Sequence, residues 1–431
     1  MRRLPVRGAD LVLMAMHSSW KGASNNTALV VELDGAVDSA RIERSLVRLL
    51  DGCPWPASRL RRRFPWGKLS WVAGPRGSLT VPPLRRRAAV TPSDVHRLLE
   101  DELDLAIDPR REPPLRFLSI DRGPDAGGVL VMTWFHPLMD PRGGQNLLGH
   151  LADFDDPAAP SPANGHAAAF EPARDRRSLR ERGRQARRSL EYMRTLAPVP
   201  PVSPGSRLDA PGRVRFRHAG FVEPDPPRGR ARATREISWR LAVVGKAMAE
   251  LGRRHGLPDA PFLLPISVDL RPKGEPGATF GNRLAFHFAR FAPAQTADVP
   301  ALARHLRRQM ADAVRDGQID ANAVAMEFLH YRPLSRMLRA LPWTSRGEIF
   351  SFNCADVTDF PARLERCFGA RVLNAYHVPA VLPRPGIGVF FNRCARWNNV
   401  VVSWIDGAVS DDDVTRIVDG VREGMGWIAA S

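Results

Sequence analysis

Residues 128–144 read GVLVMTWFHPLMDPRGG, and the rest of the chain can be organised around them. Residues 129–135 are an unbroken apolar run of β-branched and aromatic side chains, the pattern of a strand covered on both faces. The run stops at His136-Pro137, where proline can extend neither a ladder nor a helix interior, so the chain must turn. His136 and Asp140 therefore fall in a tight loop at a strand exit, with Gly143 and Gly144 letting the backbone bend before residues 145–151. An imidazole held there, with a carboxylate four residues on, has the makings of a general base.

His-x-x-x-Asp is a weak signal alone, because the chain holds it twice: His255 to Asp259 repeats the spacing. That copy follows an amphipathic run over residues 241–254, and Gly256 and Pro258 read as a helix stop. His255 is expected to end a helix rather than serve chemistry.

At 431 residues the chain is too long for one ordinary core, and two domains meeting near residue 200 are expected, 1–200 and 201–431. Hydrophobic residues are 44% and charged residues 25%, as in soluble globular proteins. No apolar run reaches the ~18 residues that a membrane span requires. The N-terminus is basic and then briefly apolar, but Asp10 interrupts it and no small-residue cleavage site follows. Its apolar part reads equally well as a first strand, and a cytoplasmic protein is expected. The cysteines at 53, 354, 367 and 394 are dispersed and lack zinc-type spacing, so reduced structural thiols and no metal are expected.

The formal net charge is +17, carried almost wholly by arginine, since Lys21, Lys68, Lys246 and Lys273 are the only lysines. A positive field of this kind attracts polyanions: nucleic acid, the phosphates of coenzyme A, or an acidic carrier protein. Charge does not choose among them.

Along the chain, residues 27–33 read as a strand and 39–50 as an amphipathic helix. The basic burst at 59–63 reads as a solvated edge before a strand at 69–72. A helix over 92–103, capped by Thr91 or Ser93, leads to a strand at 115–120 and a hairpin into the central run. Residues 153–175 are rich in Pro, Ala and Asp without period and read as a loop. A helical stripe returns at 178–196, with seven arginines between positions 176 and 188. A solvated helix face accounts for it, and docking of phosphates or a carrier protein is the sharper alternative. The Pro- and Arg-rich tracts at 197–213 and 223–232 put the domain boundary near 200. Beyond them lie strands at 214–222, 262–268, 348–354, 388–392 and 399–405, an apolar segment at 284–291, and helices at 238–254, 299–315 and 411–428, with helical material to 341. Strands and helices alternating in both halves mean α/β layers.

In this order the chain resembles the coenzyme A-dependent acyltransferase superfamily of chloramphenicol acetyltransferase, wax ester synthases and the condensation domains of nonribosomal peptide synthetases. The family's His-His-x-x-x-Asp-Gly motif, after a buried strand, reads here Phe135-His136-Pro137-Leu138-Met139-Asp140-Pro141. SVDLRP at 267–272 and FGN at 280–282 are similar to the family's strand-Arg-turn-Gly-x-x-Asn segment. Residues 32–63 and 103–117 look like its first strand and helix and the segment before its central strands. Two positions depart: Phe135 replaces the first histidine, and Pro141 replaces a glycine whose geometry a fixed φ cannot copy. Gly143 is expected to take over the flexibility.

The resemblance implies two chloramphenicol-acetyltransferase-like lobes in a V-shaped pseudo-dimer around a central tunnel, with His136 as general base. It implies that Asp140 is a structural partner of Arg271, and that Ser351 and Asn353 donate to an oxyanion or contact substrate. Acyl-coenzyme A or an acyl-phosphopantetheinyl carrier protein would be the co-substrate, and a small-molecule hydroxyl or amine the acceptor. No covalent nucleophile is needed, and neither a Gly-x-Ser-x-Gly elbow nor a phosphate-cradling Gly-x-x-x-x-Gly-Lys loop is present. Two rivals stand beside acyl transfer: a non-catalytic condensation-like scaffold that recruits a partner protein, favoured by Pro141, and a nucleic-acid binder, favoured by charge but lacking any recognisable module.

Overall fold

The computed structural model describes the chain apart from residues 19–23, 63–66, 124, 156–169, 171–176, 197–199, 207, 209–211, 225–235, 273–277, 332–333, 335–347, 358, 383 and 430–431. The elements run β1 (Arg2–Pro5), α1 (Gly8–Ser18), β2 (Asn26–Leu33), α2 (Ser39–Gly52), β3 (Arg59–Arg62), β4 (Leu69–Ala73), β5 (Leu84–Ala88), α3 (Pro92–Asp104), β6 (Leu115–Asp121), β7 (Gly128–Phe135), α4 (Pro141–Asp153) and α5 (Leu179–Leu196). There follow β8 (Val214–Val222), α6 (Ile237–Arg254), β9 (Phe262–Asp269), β10 (Leu284–Phe291), α7 (Val299–Arg315), α8 (Gln318–Glu327), β11 (Asn353–Asp356), β12 (Arg366–Cys367), β13 (Ala370–Val378), β14 (Ile387–Cys394), β15 (Trp397–Ile405), α9 (Asp411–Met425) and β16 (Ile428–Ala429).

Local chemistry accounts for the helix starts. Asp38 caps α2 by accepting from the backbone of Ala40 and Arg41, and the stripe Ile42, Leu46, Leu49 is buried. Thr91 and Asp94 form a reciprocal capping box on α3, with Pro92 in its first turn. Ser410 and Asp413 do the same for α9, which stops at left-handed Gly426.

One sheet has the order β12-β13-β2-β7-β6-β5 and another β11-β14-β15-β8-β16. Side chains alternate across β2 and β7. Leu29, Val31, Leu130, Met132 and Trp134 enter a core shared with α2 and α4. Ala28, Val30, Val129 and Val131 point the other way, into a layer shared with Val214, Phe216, Phe390 and Val401 of the second sheet. The second sheet's far face packs on α6 and α9 through Val244, Met248, Ile417 and Val421. The order is helix, sheet, sheet, helix, and β7 is covered on both faces, as its sequence requires.

Three expectations are corrected. Residues 8–18 form helix α1, not a first strand: Leu11, Met14 and Ala15 recur at helical spacing and are buried. The strand expected over 348–354 starts only at Asn353, because Ser351 bonds to Leu263 through both its backbone and its hydroxyl. β13 was not anticipated at all. It pairs antiparallel with β2, so the first sheet combines strands from either side of residue 200. Arg59–Arg62 do lie on a sheet edge, β3 of the β1-β4-β3 sheet. Most of the loop at 153–175, Arg63 and Arg176, most of the tract at 223–232, part of the tract at 197–213 and residues 335–341 fall outside the described residues. Among the described residues no helix is long and apolar enough to cross a membrane, and no side-chain group is arranged to hold a metal. All four cysteines are buried, and none is joined in a disulfide.

Candidate active site

The loop after β7 is built tightly. A single 3-10 turn spans His136–Leu138 and buries Pro137 and Leu138. Asp140 caps α4, its Oδ1 accepting from the Gly143 N–H at 2.8 Å. Pro141 opens the helix, where a missing N–H costs nothing and φ is already set. The proline therefore fits without any glycine geometry. Nor do Gly143 and Gly144 serve as a bend, since both lie inside α4. A Cβ on Gly143 would sit 2.2 Å from the Thr279 carbonyl oxygen, and one on Gly144 would sit 2.7 Å from the Trp134 ring. They are glycines because backbone and indole come so close.

What comes close to Gly143 is the far end of a two-stranded arm, β9 paired antiparallel with β10. Arg271, two residues past β9, gives Asp140 a bidentate pair, Nη1 to Oδ2 at 2.8 Å and Nη2 to Oδ1 at 3.0 Å. Its remaining donors reach Asp269 and the Ala278 carbonyl. Asp140 accepts further from the Arg283 backbone at 3.0 Å. Phe280 is fully buried in the first core, and the Gly281 N–H donates to Leu138 O at 2.8 Å. Asn282 donates to the His136 carbonyl at 2.9 Å. DLRP and FGN thus converge on the His136–Asp140 loop.

His136 is half-buried and lines a cavity of about 360 Å³. Its Nδ1 is enclosed and bonds to no other residue, which leaves Nε2 as the ring nitrogen toward the cavity. Burial lowers the His136 pKa, partly offset by its own backbone carbonyl and by Asp140. The imidazole is neutral at neutral pH, as a base must be.

His377, on β13, is a neighbour that the sequence reading missed. Burial and the nearby His136 push its pKa down to about 3. Its Nε2 lies 3.2 Å from Gln145 Nε2 of α4, and Trp134 meets its ring edge-on. The available signal was Ala-Tyr-His-Val ahead of Pro379, a short strand-like run that Asn374 and Arg371 obscure.

The cavity has one wall of Leu13, Met16, Met193, Phe286, Met326 and Leu329, from α1, α5, β10 and α8 and the turn after it. Another wall carries Asn353, Asp356, Val357 and Phe390. Asp356 pairs with Arg240 at 2.7 Å, and burial raises its pKa against that pairing. Of the two expected oxyanion residues, Asn353 lines the cavity and Ser351 does not: Ser351 Oγ is buried and accepts from the Leu263 N–H at 3.0 Å. His255 follows α6 as its cap, with Nε2 3.2 Å from Asp413 Oδ2, and lines no part of this cavity.

No protein-family model and no curated protein matches the sequence. Solved structures do match its fold. The first condensation domain of the calcium-dependent antibiotic synthetase, bound to a substrate analogue, is 18% identical with a TM-score of 0.69, covering 100% of this chain and 98% of that one. The starter condensation domain of rhizomide synthetase, in a complex with C8-CoA, is 12% identical with a TM-score of 0.67 over 98% and 94%. Trichothecene 15-O-acetyltransferase from Fusarium sporotrichioides is 10% identical with a TM-score of 0.69 over 98% and 95%. At these identities the likeness is one of fold. Over nearly its whole length the chain has the two-lobed, V-shaped, chloramphenicol-acetyltransferase-like fold of condensation domains and acyltransferases.

Proposed function

We propose that the protein moves an acyl group from a thioester to a hydroxyl or amine acceptor, with His136 Nε2 as general base. The observation that carries this reading is a neutral imidazole whose free nitrogen opens into an apolar cavity, on a loop clamped by Asp140 and Arg271. The acceptor gives its proton to Nε2 as its oxygen or nitrogen attacks the thioester carbonyl. Collapse of the tetrahedral intermediate breaks the C–S bond, and the departing thiolate takes the proton back from the imidazolium. Asn353 is the better placed oxyanion donor, because it lines the cavity.

Asp140 takes no proton in this scheme; it holds the loop. We take the lobes as 1–200 and 201–431, with β12 and β13 returned to the first. The donor is acyl-coenzyme A or an acyl carrier protein, in keeping with the C8-CoA complex of the rhizomide synthetase domain. Pro141, the feature that favoured a non-catalytic scaffold, opens α4 at a position suited to proline and so no longer favours it. Mass spectrometry of the protein with pooled acyl-thioesters and pooled amines and alcohols tests the reading. An acylated acceptor that disappears with His136→Ala supports it, and no product with any donor overturns it.

A further inference from the structure

Asp10 has no part in the chemistry above, yet it touches the machinery. It lies in the first turn of α1 with no exposed surface and accepts three hydrogen bonds. Oδ2 takes the Arg7 backbone N–H at 2.6 Å. Oδ1 takes the Asn282 backbone N–H at 3.0 Å and Asn282 Nδ2 at 2.7 Å. The same Nδ2 donates its other hydrogen to the His136 carbonyl at 2.9 Å. Both groups facing this amide are acceptors, so its NH₂ must point at them, and Asn282 Oδ1 is left buried without a partner. An orphaned buried acceptor is costly, so the two donated bonds outweigh it.

The start of α1 is anchored as well. The Gly8 N–H donates to Glu327 of α8 at 2.9 Å, and a Cβ on Gly8 would lie 2.4 Å from the Met326 backbone. Farther along α1, Leu13 and Met16 line the cavity.

We propose that Asp10 is a positioning residue which, through the Asn282 amide, fixes the His136 carbonyl and so the aim of the imidazole. The proposal rests on His136 being the base. Removing either link frees the strand-exit turn on the side that faces the β9–β10 arm, and the ring loses its aim while the substrate-lining walls stay in place. Transfer between aligned atoms is steeply sensitive to such misplacement.

The link also has a pH signature. Burial raises the Asp10 pKa to about 7; its three hydrogen bonds oppose this, and Glu327 adds to it. The other titratable groups here are Glu327, with His330 3.7 Å away, and the flanking Arg7 and Arg283. A carboxylate is the stronger acceptor, so Asn282 is held most firmly above this pKa and less firmly below it. Turnover in the natural chain should therefore weaken with a midpoint near 7, above the lowered pKa of His136 itself.

The test uses Asp10→Asn, Asn282→Asp and the double variant carrying both, in the full chain, from about pH 5.5 to 8.5. Each single variant should lower kcat about tenfold or more with little change in either KM, the mark of an interaction that matters in the transition state. In Asp10→Asn the acid midpoint of kcat should move below 6.5, toward His136. The double variant rebuilds an acid–amide pair between the two positions, so the melting temperature should recover. Its new carboxylate at 282 has no N–H for the His136 carbonyl, so kcat should stay low. Recovery of kcat together with melting temperature, a change confined to KM, or an unmoved midpoint would each overturn the proposal.

If Asp10→Asn does not fold, the His136 ring resonances of the natural protein carry the test. They should show a second inflection near pH 7, and its absence overturns the link. That measurement needs no turnover, so it stands apart from the base assignment, which falls separately if His136→Ala keeps full activity.

Discussion

Asp140 and Arg271, 131 residues apart, meet in a bidentate pair whose side chains are 2% and 1% exposed. Each is saturated by its surroundings: Asp140 also receives two backbone N–H groups, and Arg271 also serves Asp269 and Ala278. A carboxylate so occupied has no lone pair to offer an acceptor substrate. Its work is to tie the His136 loop to the β9–β10 arm.

Breaking that tie should be costly. Asp140→Ala leaves a buried guanidinium without its main counter-charge, and a loss of about 3–5 kcal/mol in unfolding free energy is expected. Arg271→Ala should cost a similar amount, and the double variant less than the sum, because each single change already removes the pair. Chemical denaturation of the four proteins measures the coupling; additive losses would mean that the pair contributes nothing jointly.

For His136→Ala, transfer should fall about 10²- to 10⁴-fold, the usual worth of a general base. Its melting temperature should stay close to that of the natural chain, since the ring is half-buried beside a cavity and its Nδ1 bonds to no other residue. His255→Ala should keep full activity and lose only the contact with Asp413. Steady-state kinetics on both variants, with equal losses in the two, would displace His136 from its role.

Stability should decline in acid in a defined window. His377 titrates at about 3, and His218 and His287 at about 4, all lowered from 6.5 chiefly by burial. The unfolded chain therefore binds protons that the folded one refuses, so this contribution is intact above pH 6.5 and is lost as pH falls toward 3 to 4. Asp10 works the other way between 3.8 and about 7, because its folded pKa is raised, and Glu32 and Asp356 are raised by burial as well; His136 and His330, lowered by burial, join the three histidines, so five imidazoles outweigh three carboxyls. Melting temperature should drop on acidification below 6.5, and less so in a His377→Gln variant. A profile that rises with acid would contradict these burials.

The arginine-bearing helix α5 gives a test of the donor. Arg184, Arg187 and Arg188 are exposed, while Ser189, Leu190 and Met193 of the same helix line the cavity. Charge reversal at the three arginines should weaken the apparent affinity for a carrier-bound donor, steeply at low salt, and leave acyl-pantetheine unaffected. Affinity unchanged for every donor would remove α5 from docking.

Much of this was legible from residues alone, and the reasons are local. The apolar run at 129–135 read as a doubly covered strand and is one, and Pro137 had to end it. Thr91 or Ser93 was expected to cap the helix opening at Pro92, and Thr91 is the cap, in a box completed by Asp94. Gly256 and Pro258 placed His255 at a helix end. Signals of this kind act within a few residues, so they survive without tertiary context.

The failures involve contacts across long sequence separations. Gly143 looked like a hinge because nothing nearby in sequence announces that the Thr279 carbonyl will lie against it. Pro141 looked misplaced until the capping geometry of Asp140 made it the first residue of α4. β13 carries polar side chains that hide its period, and only its pairing with β2 brings His377 toward His136. Asp10 read as an interruption in an apolar segment, yet it is the buried acceptor of an amide 272 residues away. Sequence by itself determined where many of the strands and helices begin and which residues were candidates for chemistry, since propensity, capping and hydrophobic period are short-range properties. Only the tertiary structure decided which of those residues meet, because burial, charge pairing and hydrogen-bond saturation arise once distant segments exclude water from one another.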